Sequence, residues 1–144
     1  MSYTTKATIE LAMDNKVLIH LTQDDKYVED AVLSIIDEAI AKADAEIELY
    51  LSRRYTVPLV TVPKLIENIS TILSIYYIYS FRMDNKLPEE VTNKRIWALD
   101  ILNKLQLGVL SLRSLTSNPA SRVVFVTNRE DGDITYTKEK LTQI

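Results

Sequence analysis

The stretch that most constrains the fold spans residues 30–55, the longest segment with one unbroken helical pattern. Its apolar residues recur at spacings of three and four, which places them on one helix face. They are Leu33, Ile36, Ile40, Ala43, Ile47 and Tyr50 or Leu51. The other faces of the helix carry Asp37, Glu38, Lys42, Asp44, Glu48 and Ser52. At ~1.5 Å per residue this helix would be about 35 Å long, the width of a small domain. We therefore predict a long central helix with one buried face.

Charged residues mark the two ends of this helix. Asp30 is suited to cap its N-terminus, and Arg53 and Arg54 lie at its C-terminus, where positive charge is favourable. Three roles remain open for the arginine pair: bonding to the last helix carbonyls, salt bridges to another subunit, or contact with phosphate. The alanines between residues 39 and 45 leave room for a neighbouring helix or subunit to approach closely.

Composition favours a helical protein made in a reducing compartment. With only two glycines and four prolines among 144 residues, glycine-rich phosphate loops and most many-stranded β folds are excluded. Cysteine is absent, so there is no disulfide, thiolate nucleophile or zinc–thiolate site. The first residues do not resemble a signal peptide, which predicts synthesis in the cytoplasm. A net charge of −3 is the opposite of what a protein that coats DNA carries.

A second long helix is predicted over residues 63–83. It starts at Pro63, where a missing N–H costs nothing, and carries no charge from Asn68 to Phe81. This uncharged run is shorter than the roughly 20 residues that span a bilayer, so we predict no membrane span. A helix that is apolar in almost every direction is buried nearly all round, and we expect a partner subunit to cover part of it.

The fold class that follows is all-α, a compact bundle of about four helices with one long central helix. The helices are predicted near residues 5–13, with a short turn at 15–21, and at 30–53, 63–83 and 88–106. Gly108 is the expected C-cap of the last helix, and residues 56–63 form an extended connector. The expected core consists of Leu33, Ile36, Ile40, Ile47, Ile69, Leu73, Tyr76, Leu99 and Leu102.

The pattern changes near residue 113, so we divide the chain into a helical domain, 1–112, and a C-terminal arm, 113–144. Residues 122–127 and 133–137 are β-branched and aromatic and are separated by a polar turn, which predicts a β-hairpin or an extended arm. Two strands alone are marginally stable and need an outside surface. We therefore expect the arm to act in assembly.

No catalytic or metal-binding pattern occurs in the sequence. A calcium loop aligned on Gly132 fails because Thr127, Arg129 and Lys138 stand where acids are required. His20, the one histidine, has no potential partner nearby in the sequence and is expected to be structural. We predict no enzymatic activity and no cofactor or metal.

The order of several segments resembles the small head–tail connector, or head-completion adaptor, proteins of tailed bacteriophages, with the Mu-like branch the most similar. The segments are AEIELYLSRRYTVPL, VPKLIENISTILSIYYIYS, PEEV and LNKLQLGVLSL. The resemblance covers residues 3–112. At Ser52-Arg53 this chain departs from the small residues or glycine that such proteins often carry, and residues 113–144 match no part of the pattern.

This resemblance implies a structural virion protein at the portal vertex, made in the cytoplasm of the host bacterium. About twelve copies would form a ring on the portal protein, extend the DNA channel and offer a docking surface to a tail-side connector or tail terminator protein. DNA would only pass through the channel, and no membrane would be involved. The residues predicted to lie at interfaces are Arg53, Arg54, Tyr55, Tyr77, Tyr79, Val123, Phe125, Ile134 and Tyr136.

The same apolar surfaces are also typical of a different class of protein. A cytoplasmic helical protein-binding or regulatory module, acting as a dimer, would also need an apolar face for one partner. Formation of a ring on the portal would distinguish the connector from this module.

Overall fold

The structure, a computed structural model, describes residues 1–22, 33–81 and 86–112. In these ranges it contains α1 (Lys6–Ala12), α2 (Asn15–Thr22), α3 (Leu33–Leu51), α4 (Lys64–Phe81) and α5 (Glu89–Leu107). All regular secondary structure there is helical, which confirms the all-α prediction for this part of the chain. The predicted arm, 113–144, and the predicted cap at Asp30 lie outside the described residues.

The described part has five helices where about four were predicted, because the expected turn at 15–21 is a helix of eight residues. Asp14 lies directly before this second helix and caps it. Its side-chain Oδ1 accepts the N–H of Lys16 at 3.0 Å, and its carbonyl accepts the N–H of Leu18 at 3.0 Å. The residue therefore ends one helix and caps the next.

The helix at the centre of the bundle is α4, and the prediction that the long helix α3 is central was wrong. Helix α4 packs against α1, α2, α3 and α5, whereas α3 packs mainly against α4 and α5. The physical reason is that α4 has no charge over most of its length and can be covered on several sides, while α3 keeps one polar face. The polar residues Ser70, Thr71 and Ser74 of α4 are buried with its apolar ones.

Two apolar clusters form the core, one toward each end of α4. The first contains the buried residues Tyr3, Ala43, Ile47, Leu51, Leu59, Ile66, Ile69, Leu73, Ala98, Leu102, Leu105 and Leu112. The second contains Ile9, Met13, Leu18, Leu21, Ile36, Ala39, Ile40 and Ile78. Helices α3 and α4 contribute to both clusters, so they tie the α1–α2 end of the bundle to the α5 end.

Most of the predicted core residues are buried: Ile36, Ile40, Ile47, Ile69, Leu73 and Leu102. Tyr76 and Leu99 are only partly buried. Leu33 was predicted to be core and is 54% exposed. Leu33 is the first residue of α3 and lies one turn before the first buried position of this helix. The apolar pattern therefore begins before the part of α3 that packs against its neighbours.

The last turn of α5 ends as its sequence predicts. Gly108 adopts a left-handed conformation with φ of 79°, and its N–H donates to the carbonyl of Leu105 at 3.2 Å. Glycine takes this conformation without the strain that a β-carbon would bring. Pro63 lies one residue before α4 and accepts the N–H of Ile66 through its carbonyl, so it precedes the helix that it was expected to begin.

Truncation of either core cluster should destabilise the whole domain. Ile40→Ala in the second cluster and Leu73→Ala in the first should each lower the free energy of unfolding by ~2–5 kcal/mol, because a buried side chain leaves a cavity. Leu33→Ala is the matched control, since the same type of truncation on an exposed side chain should cost less than about 0.5 kcal/mol. Chemical denaturation measures all three. Equal midpoints for Leu33→Ala and Leu73→Ala would contradict this account of the core.

Candidate interaction surfaces

An apolar groove of about 700 Å³ opens between the N-terminal helices, α4 and the first half of α5. Its floor is formed by α4 through Ile72, Ile75 and Tyr79, all of them partly exposed. Helices α1 and α2 supply one wall with Leu11 and Val17. Leu11 is 90% exposed. The groove therefore leaves the apolar surface of the central helix uncovered from Ile72 to Tyr79.

Trp97 of α5 forms the opposite wall of this groove and is 46% exposed. On its other side a second, shallower hollow of about 460 Å³ is lined by Glu89, Glu90, Asn93, Lys94 and Trp97. Trp97 thus lines both hollows, together with Glu90 and Lys94. An exposed Trp with a mixed polar and apolar surround is typical of a protein–protein contact.

The rim of the groove carries an excess of acid. Asp14 and Glu90 are exposed there, against one lysine, Lys94, and the exposed Glu89 lines the second hollow. Lys94 is paired with Glu90 at 2.6 Å, and this ion pair and hydrogen bond lower the pKa of the Glu90 carboxyl. Glu89 forms no ion pair with any residue that the structure describes.

The opposite end of α5 carries a second exposed apolar surface. We call Leu107, Val109 and Leu110 the C-terminal turn; all three are exposed, Val109 to 71%. The turn is built around Gly108, and the guanidinium of Arg54 lies against it, with Nη1 only 1.3 Å from where a β-carbon on Gly108 would be. Within the described ranges neither Arg53 nor Arg54 forms an ion pair, and both are exposed.

Three of the four tyrosines predicted to lie at interfaces are within the described residues, and they have different surroundings. Tyr79 lines the groove. The hydroxyl of Tyr55 accepts the N–H of Leu112 at 3.2 Å, which holds the chain after α5 against the end of α3. The hydroxyl of Tyr77 is bonded inside the bundle. The other predicted interface residues, Val123, Phe125, Ile134 and Tyr136, lie outside the described residues.

Tyr77 belongs to a partly buried cluster that joins α3, α4 and α5. Glu46 accepts the Tyr77 hydroxyl at 2.8 Å and an N–H of Arg95 at 3.1 Å. The guanidinium of Arg95 also lies 4.3 Å from the ring centre of Tyr76, a cation–π contact. Burial, and then the bond to Glu46, raise the pKa of Tyr77. The cluster fixes α5 relative to α3 and so fixes the wall of the groove that carries Trp97.

A buried carboxylate holds the N-terminal segment against α3 and α4. Asp44 accepts the backbone N–H of Tyr3 at 3.2 Å and the hydroxyl of Ser70 at 2.8 Å. Tyr3 in turn donates its hydroxyl to Glu48 at 3.1 Å and accepts the N–H of Leu59 at 3.1 Å. These bonds connect the chain start, the connector before α4 and both central helices, and they place α1 where it forms the groove wall.

A threonine pair continues this network to the groove itself. The hydroxyls of Thr4 and Thr71 are 2.8 Å apart, and Thr71, on α4, also lines the groove. Thr71 bonds in addition to the carbonyl of Glu67 one turn back in its own helix. The buried polar residues of α4 therefore fix the N-terminal segment along one edge of the groove floor.

The part of the chain that the structure describes contains no group of three or more His, Cys, Asp or Glu side chains placed to bind a metal. His20 is exposed on α2. None of the helices described is long and apolar enough to cross a membrane.

The sequence of the chain matches a known protein family. A family model described as Bacteriophage Mu, Gp36, matches residues 3–127. The chain belongs to the bacteriophage Mu Gp36 family. No curated protein matches the chain. Membership in the Gp36 family confirms the predicted relationship to Mu-like phages and indicates a structural or assembly protein of the phage.

The Gp36 match also corrects the extent of the resemblance seen in the sequence. That resemblance ended at residue 112, and residues 113–144 were expected to match nothing, whereas the family model continues to residue 127. The first predicted strand of the arm, 122–127, is therefore inside the family pattern, and the second, 133–137, is outside it.

Two features of this Gp36-family chain were missed in the sequence. Asp44 was assigned to the polar face of α3, yet it is buried. It lies four residues after Ile40 and three before Ile47, so its position on the buried stripe was visible, and Ser70 and Ser74 on the facing helix offered partners. The groove was missed because it depends on how α1, α2 and α5 leave α4 uncovered, which no single segment encodes.

The buried carboxyl of Asp44 should give the protein a characteristic pH dependence. Burial raises its pKa above the ordinary 3.8, against the opposing effect of the Ser70 and Tyr3 bonds. A raised folded-state pKa means that the stabilising contribution is fully present below the unfolded value and is lost as the pH rises through the folded value. Each unit of the shift corresponds to about 1.4 kcal/mol.

We therefore expect the wild type to gain stability relative to Asp44→Asn as the pH falls from neutral through the raised pKa of the Asp44 carboxyl, because the wild-type carboxyl then protonates. Thermal or urea unfolding of both proteins over this pH range gives the difference in their stability. Asp37→Asn removes a carboxylate from the exposed face of the same helix and controls for the loss of charge. A relative loss of wild-type stability on acidification would show that the Asp44 pKa is lowered rather than raised.

Proposed function

We propose that this Gp36-family protein is a head–tail connector of a Mu-like phage. In this proposal about twelve copies form a ring on the portal protein at the capsid vertex, extend the DNA channel and present a docking surface to the tail. The protein acts by binding, without catalysis or a cofactor. Its partners are further copies of itself, the portal, and a tail-side connector or terminator protein.

The observation that carries the proposal is the open apolar groove beside Trp97. An uncovered groove of about 700 Å³, with an exposed Trp on its wall, is a costly surface to leave in water and is a common mark of a site that a protein partner fills. In a structural or assembly protein of a phage, the partners available to fill it are other virion proteins. The connector position supplies several such contacts for each subunit.

The charge of the chain supports a position around a DNA channel. A net charge of −3 means that the protein does not bind the DNA backbone by releasing counterions. A ring of such subunits leaves DNA free to move through it during packaging and ejection. A strongly basic lining would instead bind the DNA on its way through.

The arm, residues 113–144, is proposed to make contacts within the assembly. It follows Leu112, which is buried in the first core cluster. Its β-branched segments favour addition to the edge of a partner's sheet. The family pattern, which includes residues 113–127, supports a role shared among Gp36 proteins for the first part of the arm.

A phage that lacks this protein should accumulate DNA-filled heads and separate tails, because the joint between them is missing. Electron microscopy of lysates measures this. Full-length protein supplied from a plasmid should restore tailed particles, whereas protein that ends at Leu112 should fold but fail to restore them. His20→Ala is the control: its side chain is exposed on α2 and lines neither hollow, so it should restore joining fully.

Tailed particles formed without the protein would exclude the connector function. A stable dimer that never enters particles would favour the alternative, a cytoplasmic binding or regulatory module. Failure of the His20→Ala protein to restore joining, with folding intact, would give this histidine a role in assembly that the present proposal denies.

A further inference from the structure

Two exposed apolar surfaces, the groove and the C-terminal turn, lie at opposite ends of α5. The groove is bounded by the first half of the helix, up to Trp97, and the C-terminal turn begins at Leu107. From Lys94 to Leu107 the separation along the helix is about 20 Å, at ~1.5 Å per residue. One surface is concave and the other is a projecting turn.

We propose that the C-terminal turn of one copy seats in the groove of a second copy, in a head-to-tail contact. Leu107, Val109 and Leu110 supply three adjacent apolar side chains, and the groove offers an apolar floor of α4 with Leu11 and Trp97 at its edges. The occupant is thus a second copy of this chain. This inference deepens the proposed ring and depends on it for its biological setting.

Charge complementarity favours a second copy of this chain as the occupant of the groove. Arg54 lies directly against Gly108 within the C-terminal turn. The rim of the groove carries Asp14 and Glu90, and Glu89 lines the adjoining second hollow. Seating the turn in the groove brings Arg54, which has no ion-pair partner among the described residues, toward an acidic rim.

The same charges oppose a two-fold symmetric dimer through either surface. Such a contact would place turn against turn and arginine against arginine, or acidic rim against acidic rim. A head-to-tail contact avoids both arrangements. Because it uses different surfaces on the two copies, it repeats from copy to copy, which generates a closed ring or a filament rather than a dimer.

Variants of the full-length protein that change either the turn or the groove, but not both, test the contact. Val109→Asp disables the turn, and Leu11→Asp disables the groove; both side chains are highly exposed, so neither change should prevent folding. Trp97→Asp is a second groove variant. Each should weaken self-association by roughly tenfold or more, as expected for an apolar anchor at an interface. Leu33→Asp is the matched control, an exposed leucine that lines neither surface, and should associate as the wild type does.

Mixing the variants shows whether the contact is head-to-tail. Val109→Asp keeps an intact groove and Leu11→Asp keeps an intact turn, so together they should form a one-to-one complex that grows no further. Sedimentation over a dilution series, with each variant alone for comparison, measures this. A mixture that stays monomeric, while the wild type associates, would overturn the proposal. Variants that each still form a dimer alone would show a symmetric contact instead.

Cysteine cross-linking gives a result whether or not the free protein associates strongly. The chain has no cysteine of its own, so Leu11→Cys/Val109→Cys carries only the introduced pair. Mild oxidation of the purified double variant, and of phage particles that contain it, should produce a ladder of disulfide-linked copies, and each single-cysteine variant should stay monomeric. No ladder in either sample would overturn the contact. A ladder in purified protein, together with tailed particles in a phage that lacks the protein, would keep the contact and exclude the connector function.

Discussion

The uncharged surface of α4 is the constraint on which the other parts of the structure depend. From Asn68 to Phe81 this helix offers no charge to water, so it is stable only when other elements cover it. Helices α1, α2, α3 and α5 do so, and each of the two core clusters contains residues of α4. The cover is incomplete along Ile72, Ile75 and Tyr79. The groove is this gap, so the requirement that organises the fold also creates the strongest candidate for a binding surface.

Polar contacts decide where the gap lies. Asp44 binds the backbone at Tyr3 and the hydroxyl of Ser70, which fixes the N-terminal segment, and with it α1, along one side of α4. Glu46, with Arg95 and Tyr77, fixes α5 on the other side. Hydrophobic burial alone is non-directional and would permit α1 or α5 to slide over the exposed part of α4. The two carboxylates supply direction, which is how a small helical domain can keep a groove open.

The two contact surfaces differ in shape and charge, which suits an assembly protein. The groove is apolar with an acidic rim, and the opposite end is apolar with Arg54 against it, so a subunit differs at its two ends in both shape and charge. A protein whose ends complement each other can build repeating structures from one chain. Membership in the Gp36 family places such a protein among the structural or assembly proteins of a phage.

The sequence by itself determined the helical class, most of the helix positions and most of the core. Spacings of three and four at Ile36, Ile40 and Ile47 are sufficient for this, because they reflect the geometry of one helix and the need of one face for burial. Gly108 likewise marked the end of α5, since a left-handed cap is a local property of the backbone. The motif order around the Arg-Tyr-x-x-Pro junction also indicated a Mu-like phage protein.

Only the tertiary structure decided which helix is central, that Leu33 is exposed, that Asp44 is buried, and that Leu11 and Trp97 face each other across a groove. These properties depend on several segments that are distant in sequence. The periodic pattern shows that a helix has an apolar face, but it does not show how much of that face a neighbour covers. The exposed remainder, which carries the proposed function, is set by the packing of whole helices.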